Sequence, residues 1–192
     1  CYSVRGLDVV AAQNISSTIY NVFSVVYLSL GTTISIIIGN QLGAGEIERA
    51  KDTEKKLVAF SVFCGVLTGV VLILLSPVYP MLYNTTDSVR ALAAYMIIVV
   101  GCTMPIGAYA NAAYFVIRSG GQVMVTILFD SAFMWAIIMP LAFSLSRFTD
   151  VSIYWLYAVC QGAEVLKVLF GAILLRRGTW ARRLVAPGTS QE

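Results

Sequence analysis

Three charged side chains, Asp130, Glu164 and Lys167, stand inside long apolar runs, where charges are rare. Asp130 lies about ten residues, or roughly 15 Å of helix, from the basic end of its run, close to a bilayer midplane. A carboxylate at that depth costs about 2.5–3.5 kcal/mol on insertion scales, so it should face protein or water, be paired, or be protonated. Two roles suit it: a cation or proton site, and an interhelical hydrogen-bond anchor. Further along, Tyr157, Gln161, Glu164, Lys167 and Gly171 follow three- and four-residue steps. That spacing places them on one helical face directed into a bundle or a cavity. Glu164 and Lys167, spaced i,i+3, can neutralise each other there or take part in an ion pathway. Lys167 can also extend its ammonium toward the membrane surface.

Tyr109, Asn111 and Tyr114 in one apolar run, and Asn14, Ser17, Asn21 and Ser24 in another, add uncharged polar groups. Aromatic faces and amide oxygens suit a cavity for amphipathic or cationic solutes. They suit polar contacts between membrane helices nearly as well. Metal and nucleophile chemistry have no comparable support. The chain has no His, and Cys64, Cys102 and Cys160 stand singly in apolar runs without a CxxC pair. This fits small buried hydrophobes rather than a disulfide or a metal site. No HExxH, nucleophile elbow or P-loop occurs, so no enzyme, metal, cofactor or nucleic-acid partner is expected.

The elements that must position these residues are membrane helices. Of 192 residues, 58% are hydrophobic and 12% charged, against about 45–50% and about 25% in soluble domains. Val9–Gly45, Leu57–Thr86 and Ala91–Ile117 contain no Asp, Glu, Lys or Arg, and each exceeds the roughly 20 residues that cross a bilayer. Ser119–Ser146 and Val151–Leu175 are interrupted only by the three charges above. Continuous hydrophobicity without period-two alternation selects helices over a barrel. The spans fall at about Ile15–Gly39, Leu57–Tyr79, Val89–Ile117, Val123–Leu145 and Ile153–Leu175. Pro105 and Pro140 should bend the third and fourth. Thr86 or Asp87 is placed to cap the third.

Between the first two spans lies Gly39–Gly45, a glycine cluster suited to a helix end or tight turn, and then Glu46–Lys56, read as a short surface helix or helical connector. Gly65 and Gly69, four apart, have the spacing that lets membrane helices approach closely. The fold expected is an all-α integral membrane bundle of five near-complete spans. The opening CYSVRGLD, residues 1–8, reads as the end of a sixth helix with its external turn, 9–184 as the bundle, and 185–192 as a polar tail. Nine basic residues (Arg49, Lys51, Lys55, Lys56, Arg118, Arg176, Arg177, Arg182 and Arg183) fall on one side, and three (Arg5, Arg90 and Arg147) on the other. The positive-inside rule then makes the connector and the C-terminus cytoplasmic, in a multi-pass cell-membrane protein. Asn84-Thr-Thr86 would face outward as a turn or as a glycosylation sequon.

Gly39-Asn-Gln-Leu-Gly-Ala-Gly-Glu-Ile-Glu-Arg-Ala50 resembles the connector Gly-Gln-x-Leu-Gly-Ala-Gly-(Asp/Glu)-x-x-(Arg/Lys)-Ala of multidrug and toxic compound extrusion (MATE) transporters, with Gly39, Gly43, Gly45 and Arg49 on its fixed positions and Gln41 one place after that of its Gln. Ile117-Arg-Ser-Gly-Gly121, Asp130, Trp135, Pro140 and Gly178-x-Trp180 resemble the second half of that family. The resemblance runs from about Leu7 to Leu184. It implies two six-helix bundles related by a pseudo-two-fold axis around a central cavity, twelve helices in all. It also implies export of drugs or organic cations by alternating access, driven by inward Na+ or H+ flow. On this reading the partners are small, cationic organic solutes, the lipid bilayer and a missing N-terminal half of the same polypeptide. Candidate pathway residues are Asp130, Glu164, Lys167, Gln161, Tyr109, Asn111 and Asn21. Some relatives carry an Asp on the helix corresponding to Leu92–Ile117; this chain has none, and Gly107 falls near that position. A lipid-linked oligosaccharide flippase of the same superfamily would need a basic cavity, whereas Lys167 is the only basic group inside the spans. A non-transporting membrane assembly protein is the remaining reading.

Overall fold

The computed structural model describes residues 7–121, 124, 131, 134–148, 153–178, 180 and 181. Every regular element among them is helical: α1 (Leu7–Gly43), α2 (Ile47–Leu75), a 3-10 turn at Tyr79–Leu82, α3 (Asp87–Ser119), a π-helical turn at Met134–Ile138, α4 (Met139–Phe148), α5 (Ile153–Gly162) and α6 (Glu164–Arg177). Three of these, α1, α2 and α3, are long and apolar enough to cross a membrane. The fourth expected span is described only in part, and the fifth is divided in two at Ala163, where Leu166 N–H bonds to the Ala163 carbonyl at 3.0 Å in a 3-10-like step.

α3 is the central element. α1, α2, α5 and α6 all pack on it, and α2 and α6 hardly touch each other among the described residues. The α2–α3 seam follows from the glycines. A Cβ on Gly69 would collide with the Gly101 carbonyl oxygen, and one on Gly65 would come within 2.7 Å of the Ala108 Cβ. Pro105 has no N–H to offer the carbonyl four residues before it, so Gly101 O is free to face the neighbouring helix. α3 continues through Pro105 without interruption. The apolar side chains of α1 and α2 that point away from the seam, among them Val22, Ile36, Phe60, Phe63 and Leu74, are exposed. In lipid such surface is at home, so it needs no protein cover.

The helix ends refine the sequence reading. α1 begins at Leu7 rather than near Ile15 and runs through Gly39 to Gly43, so only Gly45 of the glycine cluster makes the turn. With φ of 79° it sits in the left-handed region. Gly45 N–H bonds to Leu42 O at 3.1 Å and Glu46 N–H to Gln41 O at 2.9 Å, the paired closure of a Schellman motif. Residues 47–56 are no separate surface helix; they form the first turns of α2, because their i,i+3 and i,i+4 pairs Lys51–Glu48 and Lys56–Asp52 support continuous helix. α2 stops at Leu75 before Pro77, and Thr86 occupies the N-cap of α3 with extended backbone. Its hydroxyl pairs with Ser88 Oγ at 3.0 Å instead of a backbone N–H. Ahead of Pro140, the regular ladder gives way to the π turn, as expected where a missing N–H leaves a carbonyl unpaired.

Candidate functional site

Between α1 and α3, and touched by α5, lies a cavity of about 790 Å³. α1 contributes Gln13, Ser16, Ser17, Tyr20 and Asn21, which recur at three- and four-residue steps along one face, and Tyr27, two turns on from Tyr20. α3 contributes Thr103, Gly107, Asn111 and Tyr114 on the same kind of stripe, with Phe115 beside them. Tyr157 and Gln161 of α5 complete the wall. Gly31 makes this approach possible, since a Cβ there would collide with Asn111 Oδ1 and the Phe115 ring.

Aromatic rings and neutral polar groups make up the chemistry of the cavity, and no Asp, Glu, Lys or Arg lines it among the described residues. The Tyr20 and Tyr27 hydroxyls share a hydrogen bond of 2.5 Å. Gln13 donates from Nε2 to Ser17 Oγ at 3.3 Å, and the Tyr157 hydroxyl stands beside Ser16. Two amide oxygens, Gln13 Oε1 and Asn111 Oδ1, are buried without a hydrogen-bond partner among the described residues. The walls therefore offer π faces and carbonyl acceptors, groups that attract a positive charge without fixing it in an ion pair.

Of the pathway residues expected from the sequence, Asn21, Asn111 and Gln161 meet in this cavity. Tyr109 does not. It lines a second cleft, of about 960 Å³, between the start of α2 and the end of α6, because two residues along a helix from Asn111 turn about 200° to the opposite face. Asp130 lies outside the described residues, as do the side chains of Glu164 and Lys167; the Glu164 backbone opens α6. Asn14 is exposed, and the Ser24 hydroxyl bonds back to Asn21 O at 2.9 Å. Gln13, Tyr20, Tyr27, Thr103 and Phe115 are cavity residues that the sequence reading left out. The four-residue spacing of Gln13, Ser17 and Asn21 is the signal that points to Gln13.

In the connector, Gln41 Nε2 donates to Thr53 Oγ1 at 3.1 Å, tying the end of α1 to α2, and Arg49 pairs with Glu46 at 3.0 Å. Trp180 is 2% exposed and packs with Ile34, Leu42, Val116 and Leu175 at this end of the bundle. The cysteines correct one expectation: Cys160 is buried and Cys64 half-buried, but Cys102 is exposed on the apolar surface, where a thiol behaves as one more apolar group.

Helices of this length and hydropathy, packed around an internal polar cavity, define a multi-pass membrane protein. Residues 1–148 match the family MatE, and the chain belongs to that family. It is 28% identical over 182 residues to Multidrug and toxin extrusion protein 1 of Xenopus tropicalis, covering 93% of this chain and 31% of the relative. It is 25% identical over 173 residues to the protein of the same name from Danio rerio, covering 86% of this chain and 29% of the relative. A bacterial relative, Probable multidrug resistance protein NorM of Halalkalibacterium halodurans, is 25% identical over 144 residues, covering 75% of this chain and 31% of the relative. The match thus covers about a third of the length of these curated relatives. No solved structure matches the chain significantly.

Proposed function

We propose that this chain is the second half of a secondary active efflux transporter. It exports small organic cations by alternating access, exchanged against Na+ or H+, with a first bundle supplied by the rest of the polypeptide. The observation that carries this reading is the cavity between α1 and α3, whose walls, among the described residues, are uncharged and combine aromatic rings with amide oxygens that lack a partner in a member of the MatE family. Such walls desolvate an amphipathic cation and attract it, yet hold no fixed counter-charge among the described residues that would prevent its release. Access alternates when one bundle rocks against the other around a site at their interface. The nine-to-three distribution of basic residues supports a cytoplasmic connector and C-terminus in the cell membrane.

Tyr114 tests the cationic part of the proposal. Efflux of a fluorescent cation is measured in cells carrying the whole transporter, with the Na+ or H+ gradient intact or collapsed. Tyr114→Phe keeps the π face and should retain gradient-driven efflux, whereas Tyr114→Leu should weaken apparent affinity about two- to thirtyfold. Equal affinity in the two variants, or efflux indifferent to both gradients, would falsify the reading.

A further inference from the structure

The second cleft lies away from the solute cavity. It opens where α2 and α6 both lean on α3 without closing on each other. Its lower walls are apolar, with Val58, Val62 and Ala172; its rim carries Lys55, Arg176 and Arg177, with Glu54 the one acid among the described residues. Lys51 also lines it but is held by Glu48 at 2.7 Å. The three remaining cations are exposed and make no ion pair with a described residue. Trp180 lines the same cleft, and its indole Nε1–H is buried without an acceptor among the described residues.

The height of the cleft is fixed by the sequence on both sides. α2 changes from charged to apolar at Leu57, and α6 changes from apolar to basic at Arg176. The rim therefore stands at the level of lipid phosphates, and the walls below it stand at the level of glycerol and acyl chains. Exposed Leu169 and Ile173 on α6, and Phe63 and Val66 on α2, continue apolar surface toward the membrane centre. A free anion would find the rim but leave the apolar walls uncovered.

We infer that this cleft is a binding site for an anionic phospholipid, its phosphate held by Lys55, Arg176 and Arg177 and its glycerol and acyl portion lying between α2 and α6. The site rests on the membrane span and the charge arrangement, and is independent of what the other cavity carries. Basic pockets between membrane helices bind anionic headgroups in this way.

Native mass spectrometry of the detergent-solubilised full chain tests it, with added phosphatidylglycerol, phosphatidylcholine or inorganic phosphate. Phosphatidylglycerol should be retained in preference to phosphatidylcholine, and inorganic phosphate should not displace it. Arg176→Gln combined with Arg177→Gln should weaken retention about thirtyfold, each charge contributing about fivefold. Lys56→Gln, a charge at the same membrane level but outside the cleft, should leave it unchanged. Melting in phosphatidylcholine micelles checks that each variant folds. Should the double variant fail there, Ala172→Phe, which fills the cleft and keeps every charge, should abolish retention. Unaltered retention by the folded double variant or by Ala172→Phe overturns the site. An equal loss from Lys56→Gln, or displacement by inorganic phosphate, would leave only diffuse surface charge or a free-anion site in its place.

Discussion

Gln13 and Asn111 are the residues at which stability and the proposed function pull apart. Each holds an amide oxygen in the cavity wall with no donor among the described residues, and such an acceptor costs about 1–3 kcal/mol in a dry interior. Water, or the cation proposed above, would lower that cost, so on this reading the cavity is most stable when occupied. Gln13→Leu removes one acceptor at similar volume and gives up only a 3.3 Å bond to Ser17. The variant is expected to melt at the same temperature as the parent or higher, while cation efflux falls about two- to tenfold. Thermal unfolding and transport measured on one preparation decide it; a variant that loses both has simply been misfolded. Part of the polar lining was legible in the sequence, since the amides of Asn21, Asn111 and Gln161 are conspicuous among Val, Ile and Leu, whereas Gln13, Tyr20, Tyr27 and Thr103 did not stand out. Which of them share a chamber was less so: Tyr109 and Asn111 look like neighbours in the chain, but helical geometry sends them to opposite faces.

Among the elements, the α2–α3 seam is set by two glycines whose neighbours are backbone or short side chains. Gly69 faces the Gly101 carbonyl, a backbone atom that shifts only if the helix carrying it shifts. Gly107, on the cavity side of α3, would meet nothing within 4 Å if it carried a Cβ. Gly69→Ala is therefore expected to cost about 1–3 kcal/mol through overpacking, whereas Gly107→Ala should be neutral or gain up to about 1 kcal/mol from helix propensity. Denaturation in mild detergent compares them, and equal effects would show that the seam is looser than its geometry. Gly65 and Gly69 were recognisable in the sequence by their spacing alone. The step at Ala163 was not: Gly162 stands just before it, but a lone glycine inside an apolar run does not by itself break a helix, and it is the hydrogen bond from Leu166 back to Ala163 that reveals the step. The ends of α1 were also hidden: Gly39 and Gly43 read as breakers but remain helical, because in lipid an intrahelical hydrogen bond is worth more than the freedom a glycine surrenders.

At the scale of the molecule, orientation is the property most open to direct test. Single cysteines at Lys51 and Asn84, in a background without the native four, should react differently with an impermeant thiol reagent. Position 84, exposed in the turn before α3, is expected to label in intact cells, and position 51 only after permeabilisation. The reverse pattern would invert the topology. Whichever way the bundle faces, α3 is a party wall. One turn of it shows Asn111 to the cavity beside α1 and Tyr109 to the basic cleft. If α3 twists during the transport cycle, the two chambers cannot change independently. Reciprocity then applies: whatever lodges in the cleft and favours one setting of α3 alters affinity in the cavity by some factor, and a solute in the cavity alters occupancy of the cleft by that same factor.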